Sequence, residues 1–359
     1  MDNNIPCRPN ILRDFIRAVL PPLFLQNEFQ FMIGNNSMDN NINKRIYELG
    51  LLPVIVIDDA KDSLDLAKAL IDGGLPAAEV TLRTDAGLPA IKLISEKYKD
   101  MLVGAGTVLK IDQVDAAIEN GAKFIVSPGF DEKIVKYCVD KNIPVFPGVS
   151  NASELAKAAS LGLEVVKFFP AEDLGGMKMI NALGSAYTNI KFMPTGGINS
   201  ENLTQYLKSP RVLACGGSFM VKKDLIKNHQ YEKITALTKE AMSKLHNFNV
   251  VHIGINNNSK EDADKGGDIL HNLFGFEKDV KPMSTFLSGQ IELMNGNKRG
   301  QCGHIAIGCN NIDRAMAYLK TKGVTFDEST LAYNDAGQKR LIYINGDING
   351  FAYHLALNK

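Results

Sequence analysis

The chain has 359 residues, of which 45% are hydrophobic, and this is enough for a sizeable core and for more than one domain. Lys plus Arg and Asp plus Glu are balanced at 40 each, so no global basic field favours nucleic acid or an anionic membrane as a partner. Five scattered cysteines without a Cys-x-x-Cys pair argue against a disulfide framework and a cysteine zinc site, and they suit a reducing compartment, so we expect a cytoplasmic protein.

Residues 1–37 are predicted to be a poorly ordered extension outside the folded unit. Residues 11–25 mix arginines with apolar side chains and contain Pro21-Pro22, which makes a poor signal-peptide core. Residues 1–5 and 38–42 have the same sequence, which suggests a start upstream of the native one. A genuine helical arm is the alternative. No apolar run in the chain approaches the roughly 18 residues that a membrane helix needs.

Short apolar strands alternate with amphipathic helices from residue 53 onward. This alternation is typical of a (β/α)₈ TIM barrel, although a doubly wound open sheet would show it too. Helical patterns lie between the strands, for example at 63–72, 113–120, 132–140 and 152–161, and a closing helix is predicted at 231–245. The predicted strands are 53–57, 77–82, 101–105, 123–127, 143–146, 164–169, 190–194 and 212–215.

Polar and glycine-rich groups cluster where these strands end, and this favours the barrel. The carboxyl ends of barrel strands converge on one mouth, where barrel chemistry is found. Turns that merely need glycine would explain Gly129 and Gly148, but they do not explain charged residues inside strands. The groups lie at 79–83, 104–107, 127–129, 147–148, 167, 195–197 and 216–218.

Lys167 stands in the middle of an apolar, strand-like run, 165–170. Burying an ammonium without a partner is costly and favours the neutral amine, which is a nucleophile towards ketones. Lys167 is therefore a candidate for Schiff-base formation. A lysine that reaches solvent or a carboxylate is the alternative at this point.

Strand alternation decides which side chains face the barrel interior. Glu79, Thr81 and Arg83 point one way on the second strand, and Lys167 faces the interior on the sixth. Burying such polar groups in an apolar core is energetically unfavourable, whereas an active site needs them, and this favours the functional interpretation. Glycine pairs after the seventh and eighth strands, at 196–197 and 216–217, predict a phosphate held on backbone N–H groups.

The pattern changes beyond residue 247, where strands dominate. Two copies of a strand–helix–three-strand unit, each of roughly 55 residues, predict a smaller α+β domain of paired βαβββ units. The domains are thus predicted as 38–246 for the barrel and 247–359 for the second domain. Its predicted strands are 250–255, 290–294, 304–308, 341–344 and 352–357, and its two helices are 263–273 and 312–322.

The barrel motifs closely resemble the 2-keto-3-deoxy-6-phosphogluconate (KDPG) / 4-hydroxy-2-oxoglutarate (KHG) aldolases over about residues 43–246. Six motifs occur in the right order and spacing, at 79–84, 104–109, 127–129, 167–172, 194–198 and 216–218. The resemblance implies a class I aldolase that needs no cofactor, forms a homotrimer and acts on a small phosphorylated keto sugar acid.

The resemblance also implies a role for each matching residue. Lys167 would form the Schiff base and Glu79 would be the general acid/base. Arg83 would bind the substrate carboxylate, assisted by Thr107. The remaining residues would form the apolar wall around the pyruvate moiety (Pro128 and Phe169) and hold the distal hydroxyls and phosphate (Thr195, Gly196, Gly197, Gly217 and Ser218).

The second domain resembles the glyoxalase/dioxygenase (vicinal oxygen chelate) superfamily over about residues 248–359. In that superfamily, positions on the first and last strands of each unit carry metal ligands, which map to His252, Glu292, His304 and His354. The fourth ligand is most often a glutamate there, so His354 departs from the commonest pattern, although histidine is a good ligand for a divalent metal. A metal-free member of the superfamily is the alternative.

We therefore predict a lyase that cleaves 2-dehydro-3-deoxy-6-phospho-D-gluconate to pyruvate and D-glyceraldehyde 3-phosphate. Preference for 4-hydroxy-2-oxoglutarate or for 2-dehydro-3-deoxy-6-phosphogalactonate is the alternative among enzymes. A non-catalytic phosphosugar-binding barrel that regulates the C-terminal domain is the alternative of another class. Lys167 and Glu79 together count against it, because a binder has no need of a buried nucleophile–base pair.

Overall fold

The computed structural model describes residues 42–358, so the predicted extension, residues 1–37, lies outside the described residues. Residues 42–358 belong to one compact unit. None of the helices in the described part of the chain is both long and apolar enough to cross a membrane.

The first half of this unit is a closed ring of parallel strands. Each strand pairs with the next along the chain, and the eighth returns to pair with the first. The ring is consistent with the predicted (β/α)₈ barrel. Its strands are β1 Leu51–Ile55, β2 Ala77–Thr81, β3 Leu102–Gly106, β4 Ile125–Val126, β5 Val145–Phe146 continued after Pro147 as Gly148–Val149, β6 Val165–Phe168, β7 Lys191–Pro194 and β8 Cys215–Gly217.

Helices follow the strands and cover the outside of the ring. One large apolar cluster joins the helices to the outward-facing strand residues. A second cluster fills the interior with one or two side chains from each strand or its amino-terminal end, among them Leu52, Phe124 and Met193. The helices are α1 Ile42–Leu49, α2 Ser63–Asp72, α3 Gly87–Lys97, α4 Ile111–Glu119, α5 Glu132–Asp140, α6 Ala152–Ser160, α7 Gly176–Ala186, α8 Leu203–Leu207, α9 Lys223–Lys227 and α10 Tyr231–His246.

The eighth strand differs from its predicted position at 212–215. Gly216 and Gly217 lie within β8 and pair with Leu52 and Pro53, instead of following the strand. A Cβ on Gly216 would come within 2.3 Å of Thr195 Oγ1. Glycine is therefore required by the close approach of β7, and the absence of side chains hid this strand from a pattern based on apolar residues.

The second half contains one eight-stranded sheet built from two copies of a strand–helix–three-strand unit. The first copy is β9 Asn249–Asn256, α11 Lys260–Phe274, β10 Lys278–Val280, β11 Ser284–Leu287 and β12 Ile291–Met294. The second copy is β13 Gly303–Cys309, α12 Ile312–Lys320, β14 Phe326–Tyr333, β15 Lys339–Ile348 and β16 Phe351–Leu357. The sheet order is β10-β11-β12-β9-β13-β16-β15-β14, and the first and last strands of each copy are parallel neighbours.

Three of these strands, β10, β11 and β14, have no counterpart among the predicted strands. β10 and β14 are the two edges of the sheet, and β10 is exposed along its whole length. An exposed edge strand needs no apolar alternation, so its sequence carries no period of two. The three-strand count of each unit was nevertheless predicted.

The last barrel helix meets the second half at His246. Its ring is 2% exposed and packs against Tyr318 at 4.4 Å and Phe248 at 5.2 Å between centroids. Among the described residues, neither ring nitrogen has a hydrogen-bond partner. Burial, helped by the positive charges of Arg314 and Lys322, lowers the pKa of His246 to about 4. His246 is therefore neutral in the folded protein at neutral pH.

We expect His246 to make the folded state less stable as the pH falls. Between pH 6.5 and about 4 the unfolded chain binds a proton on this histidine while the folded chain does not, so stability declines as the pH falls through that window. The loss should approach about 3 kcal/mol below pH 4. Urea unfolding across pH 4 to 7 should show a weaker pH dependence for His246→Leu than for the wild type. Equal slopes would contradict the prediction, and exposed His271→Leu is the control.

Candidate active site and candidate metal centre

Lys167 and Glu79 meet inside the barrel. Lys167 Nζ lies 3.2 Å from Glu79 Oε1, and the two side chains are only 7% and 1% exposed. The carboxylate offsets the cost of burying the ammonium. The same contact lets a proton pass between amine and carboxylate. The sequence left two interpretations of Lys167 open. One was a nucleophile, and the other was a lysine paired with a carboxylate. The contact with Glu79 makes the two compatible.

The strand registers bring this pair together. Glu79 pairs with Val54 on β1 and with Gly104 on β3, while Lys167 pairs with Gly148 on β5 and with Met193 on β7. The apolar cluster that fills the ring interior includes Met193, the register partner of Lys167. Both charged side chains are buried, so their interaction acts in a medium of low polarity. The Phe169 ring centroid lies 5.3 Å from Lys167 Nζ.

Gly106 makes room for the Glu79 carboxylate. A Cβ at this position would lie 2.4 Å from Glu79 Oε1 and 2.7 Å from its Cγ. The carboxylate fills the space where a side chain of β3 would point. Gly104, two residues earlier on the same strand, instead makes room for the Phe124 ring, with a Cβ contact of 2.2 Å. The two glycines therefore have similar steric roles in different surroundings.

Gly106→Ala is expected to lower kcat by about 10²-fold, because a displacement of roughly 1 Å at a reacting group has an effect of that size. Gly104→Ala is the matched variant: it should lower the denaturation midpoint through the clash with Phe124, while folded protein keeps most of its kcat. Kinetics at saturating substrate and urea unfolding of both variants separate the two effects. Wild-type kcat in Gly106→Ala would contradict a positioning role.

Arg83 and Thr107 are adjacent at the barrel mouth. Arg83 lies beyond the end of β2 and is exposed, so it belongs to the rim and not to the buried interior. Its Nε donates a hydrogen bond to Thr107 Oγ1 at 3.2 Å. Thr107 has φ +54°, an unusual conformation for a β-branched residue. This hydrogen bond places the Thr107 hydroxyl beside the Arg83 guanidinium at the mouth.

The loop after β7 exposes backbone groups beside the same mouth. Gly196 and Gly197 have φ of +96° and +77°, a region that favours glycine. The Asn199 and Asn202 amides donate to the Gly197 carbonyl at 3.3 and 3.1 Å, which holds the loop in place. Thr195 is 6% exposed and forms a parallel bridge with Gly216. The backbone of Gly196 and Gly197 is thus held at the rim of the mouth, next to buried Thr195.

The other predicted substrate-binding residues lie at strand ends. Gly217 is the last residue of β8, and Ser218 follows it and is exposed. Pro128 and Phe169 are half-buried and follow β4 and β6. A Cβ on Gly148 would lie 2.1 Å from the Pro128 carbonyl oxygen, so this strand passes close under Pro128. The predicted roles of these residues stay predictions.

Four side chains that could bind a metal ion converge in the C-terminal sheet. The Nε2 atoms of His252 and His304 are 3.1 Å apart, and Glu292 Oε2 lies 3.4 Å from the first and 3.0 Å from the second. One nitrogen of each of His252, His304 and His354 falls within 4.8 Å of the others. The predicted ligands therefore lie on one face of four neighbouring strands.

Small residues between the ligands allow this convergence. Gly254 pairs with Glu292 on one side and with His304 on the other, and a Cβ there would lie 2.1 Å from the His304 ring. Ala306 stands between His252 and His354 in the same way. The donors thus surround a space that larger side chains would fill.

A second layer of hydrogen bonds orients the donors. Ser284 Oγ donates to Glu292 Oε1 at 2.5 Å, which leaves Oε2 facing the histidines. Nδ1 of His354 lies 3.1 Å from the Leu355 carbonyl, so Nδ1 carries the hydrogen and Nε2 is left with its lone pair. Such outer partners are typical of metal ligands.

The ionisation of His252, His354 and Glu292 suits metal binding. Burial lowers the pKa of His252, and it lowers the pKa of His354 to about 4. Burial opposes ionisation of Glu292, but hydrogen bonds from His304 and Ser284 outweigh it and hold the pKa of that carboxyl below its ordinary value. Neutral imidazoles and an ionised carboxylate are the forms that bind a cation.

Several residues at the two sites have roles that were not predicted from the sequence. Gly106 lies within the motif at 104–109, but its steric contact with Glu79 was not predicted. The contacts of Gly254 with His304 and of Ser284 with Glu292 were not predicted either, because they join neighbouring strands of the sheet. Tyr343 packs its ring against His354 at 4.8 Å and against Arg299 at 4.8 Å. It lies on β15, whose pattern indicates only a strand.

A ring of parallel strands around a buried lysine–carboxylate pair is the architecture of α/β-barrel enzymes that work through a lysine nucleophile. The family model "KDPG and KHG aldolase" matches residues 42–237. A 2-dehydro-3-deoxy-phosphogluconate aldolase of Haemophilus influenzae is 45% identical over 201 residues, 56% of this chain and 95% of that protein. One of Treponema pallidum is 44% identical over 192 residues, 54% of this chain and 91% of that protein. The chain belongs to the KDPG and KHG aldolase family, which confirms this part of the sequence prediction.

Solved structures agree with this assignment. KDPG aldolase from Legionella pneumophila, with pyruvate captured as a covalent carbinolamine intermediate, is 39% identical with a TM-score of 0.54, covering 55% of this chain and 97% of that one. The aldolase of Zymomonas mobilis with 3-phosphoglycerate is 40% identical with a TM-score of 0.52, covering 56% and 94%. Residues 238–359 lie outside the family match.

Proposed function

We propose that the barrel is a class I aldolase that cleaves 2-dehydro-3-deoxy-6-phospho-D-gluconate to pyruvate and D-glyceraldehyde 3-phosphate. The observation that carries the proposal is the buried contact of 3.2 Å between Lys167 Nζ and Glu79 Oε1. An amine and a carboxylate in contact supply the nucleophile and the proton carrier that imine chemistry needs. Membership of the aldolase family supports the same reaction.

In this mechanism Lys167 attacks the C2 keto carbon as the neutral amine, after Glu79 takes its proton. Glu79 gives that proton to the carbinolamine hydroxyl, which leaves as water, so that a protonated imine and an ionised Glu79 remain. The imine draws electrons from the C3–C4 bond, and Glu79 accepts the proton of the C4 hydroxyl, directly or through water, as that bond breaks and the aldehyde leaves. The remaining enamine takes this proton from Glu79 at C3, and hydrolysis of the imine releases pyruvate and regenerates Lys167.

The rim residues would hold the two charged ends of the substrate. Arg83, oriented by Thr107, would bind the carboxylate through its planar fork. Pro128 and Phe169 would pack against the pyruvate moiety. Thr195, Gly196, Gly197, Gly217 and Ser218, at the carboxyl ends of β7 and β8, would hold the phosphate and the distal hydroxyls.

Borohydride trapping with pyruvate, followed by peptide mapping, tests the mechanism. We expect an adduct on Lys167, and no adduct on folded protein would favour the phosphosugar-binding alternative. The substrate is tested by comparing kcat/KM for 2-dehydro-3-deoxy-6-phosphogluconate, 2-dehydro-3-deoxy-6-phosphogalactonate and unphosphorylated 4-hydroxy-2-oxoglutarate. A wide margin for the phosphorylated acids is expected; equal values would remove the case for a phosphate site.

We further propose that the C-terminal region, residues 247–359, is a glyoxalase-like domain that binds one divalent metal ion. The convergence of four donors, His252, Glu292, His304 and His354, favours this second function. Three imidazoles and one carboxylate suit zinc, nickel, iron or manganese. When bound, the metal would supply Lewis-acid chemistry to a ligand in the C-terminal sheet.

Metal binding is expected to require His304. Purified wild type should carry close to one equivalent of a divalent metal by mass spectrometry, and chelation should lower its thermal midpoint because the metal binds only the folded chain. His304→Ala should lose both the metal and the response to chelation, whereas exposed His271→Ala should keep both. The site would have to be abandoned if wild type and His304→Ala bound equally little metal.

We also propose a cytoplasmic homotrimer with a domain boundary near residue 247. The compartment is supported by cysteine usage and the trimer by family resemblance. Light scattering of the purified chain measures the oligomeric state directly. A monomer would contradict the trimer without affecting the proposed reaction.

A further inference from the structure

Arg314 crosses from the C-terminal region into the barrel. It lies on α12 and is 3% exposed. Its guanidinium donates to three backbone carbonyls, from Nε to Tyr47 at 2.9 Å, from Nη2 to Leu213 at 3.0 Å and from Nη1 to Leu207 at 3.5 Å. It also lies 4.9 Å from the Tyr47 ring centroid. Within residues 42–358 no carboxylate forms an ion pair with it.

These carbonyls share an orientation that suits a cation. Tyr47 lies in the last turn of α1, and Leu207 is the last residue of α8. Carbonyls at helix carboxyl ends have no partner within the helix and carry partial negative charge. The planar guanidinium can reach several of them at once. Arg314 thus replaces water at two helix ends and at the chain entering β8.

The junction, as we call the contact between α12 and the barrel around Arg314, also fits closely at two glycines. Gly50 has φ +69°, and a Cβ there would lie 3.1 Å from Arg314 Nε. Gly74 has φ +87°, and a Cβ there would lie 2.9 Å from the Tyr318 ring. Larger residues at either position would therefore disturb the junction.

Two asparagines add hydrogen bonds across the same junction. Asn311 donates from Nδ2 to the Tyr47 hydroxyl at 2.8 Å. Asn310 donates from its backbone N–H to the His246 carbonyl at 2.9 Å and from Nδ2 to Leu245 at 3.1 Å, which caps the end of α10.

The junction lies at the amino-terminal ends of the barrel strands, opposite the mouth. Leu213, whose carbonyl accepts from Arg314, comes two residues before β8. β8 then runs to Gly217 and Ser218 at the mouth. Because β8 is only three residues long, a displacement of Leu213 would be transmitted to the residues at the mouth. The family match ends at residue 237, so Arg314 has no counterpart in it.

We infer that Arg314 is a positioning residue of the barrel: by holding the entry to β8 it sets the position of the Gly217-Ser218 end, and the C-terminal region is thereby part of the aldolase. This inference rests on the proposed function for its kinetic consequence. Its structural consequence, an ordered β8, can be measured without any activity.

Arg314→Met tests the inference in the full chain, because methionine keeps an unbranched apolar stem but donates no hydrogen bond. KM for 2-dehydro-3-deoxy-6-phosphogluconate should rise about fivefold, the size typical of coupling through packed networks. Both kcat and the KM for unphosphorylated 4-hydroxy-2-oxoglutarate should stay near wild type, because neither depends on the phosphate end. Hydrogen exchange should become faster at residues 213–218 and stay unchanged on β3. Exposed Arg340→Met is the control and should resemble wild type.

Each outcome decides the matter. For Arg314→Met, unchanged KM together with unchanged exchange at 213–218 would overturn the inference. A lower unfolding midpoint with equal KM changes for both substrates would also overturn it, because that result indicates a purely structural contact.

Arg314→Lys replaces Arg314→Met if the methionine variant does not fold. Lysine keeps the charge but cannot reach three carbonyls, so this variant should show the same pattern more weakly. Wild-type KM and wild-type exchange in Arg314→Lys would overturn the inference. If the wild type cleaves neither substrate, the proposed function fails, and the exchange data alone decide the role of Arg314.

Discussion

Lys167→Met is expected to abolish aldol cleavage, with a loss in kcat on the order of 10⁵ or more, as for other residues that form the covalent intermediate. Methionine fills most of the lysine's volume but has no nucleophilic nitrogen. The borohydride adduct with pyruvate should vanish with the activity. Substantial remaining turnover would rule out Lys167 as the nucleophile.

This substitution also leaves Glu79 buried without its partner at 3.2 Å. An uncompensated buried charge costs about 3 kcal/mol, so Lys167→Met should be less stable than the wild type. The double variant Lys167→Met/Glu79→Gln removes both charges and should recover much of that loss while staying inactive. Lys191→Met is the matched control: Lys191 pairs with Val165 across β6 and β7, and its Nζ donates to the Pro210 carbonyl at 2.7 Å, away from Glu79. It should keep wild-type turnover.

Glu79→Gln is expected to lower kcat by about 10²–10⁴-fold, the range typical of a lost general acid/base. Glutamine keeps the shape of the side chain and the space beside Gly106, but it cannot accept the proton of the C4 hydroxyl. The Lys167 adduct with pyruvate should still be trapped, only more slowly. This pattern, an adduct without turnover, distinguishes loss of the base from loss of the nucleophile.

Thr81→Val serves as the control for Glu79→Gln. Thr81 lies on the same strand and face, two residues away, and its hydroxyl donates to the Ile55 carbonyl at 2.8 Å. Losing this buried hydrogen bond should cost about 1 kcal/mol of stability and little turnover. If Glu79→Gln were as active as Thr81→Val, the proton carrier would have to be another group.

The residue types of both sites were predictable from local patterns. A strand has a side-chain period of two, so Glu79 and Thr81 must share a face, and a lysine in the apolar run 165–170 must lie near the core. The ring of strands and the paired C-terminal units follow from the same periodicity, since alternating strands and helices are repeated at regular intervals. The family motifs at the strand ends then predicted the class of reaction, a class I aldolase.

Distances between groups far apart in the chain were not predictable in this way. Glu79 and Lys167 are 88 residues apart, and they touch only because the ring closes. The edge strand β10 and the glycine-containing β8 have no apolar alternation, so their pairing depends on neighbours that only the complete sheet supplies. The requirement for glycine at 106 and 254 arises from side chains on other strands.

The amino-acid pattern thus specified the kinds of element, their order and the residues able to do chemistry, because periodicity and residue type are local properties. Tertiary packing specified which of these residues meet. It joined Lys167 to Glu79, gathered His252, Glu292, His304 and His354 around two small residues, and carried Arg314 to the Tyr47 carbonyl 267 residues away. Such contacts depend on how backbones close and exclude water over the whole fold, and no short stretch of sequence contains that information.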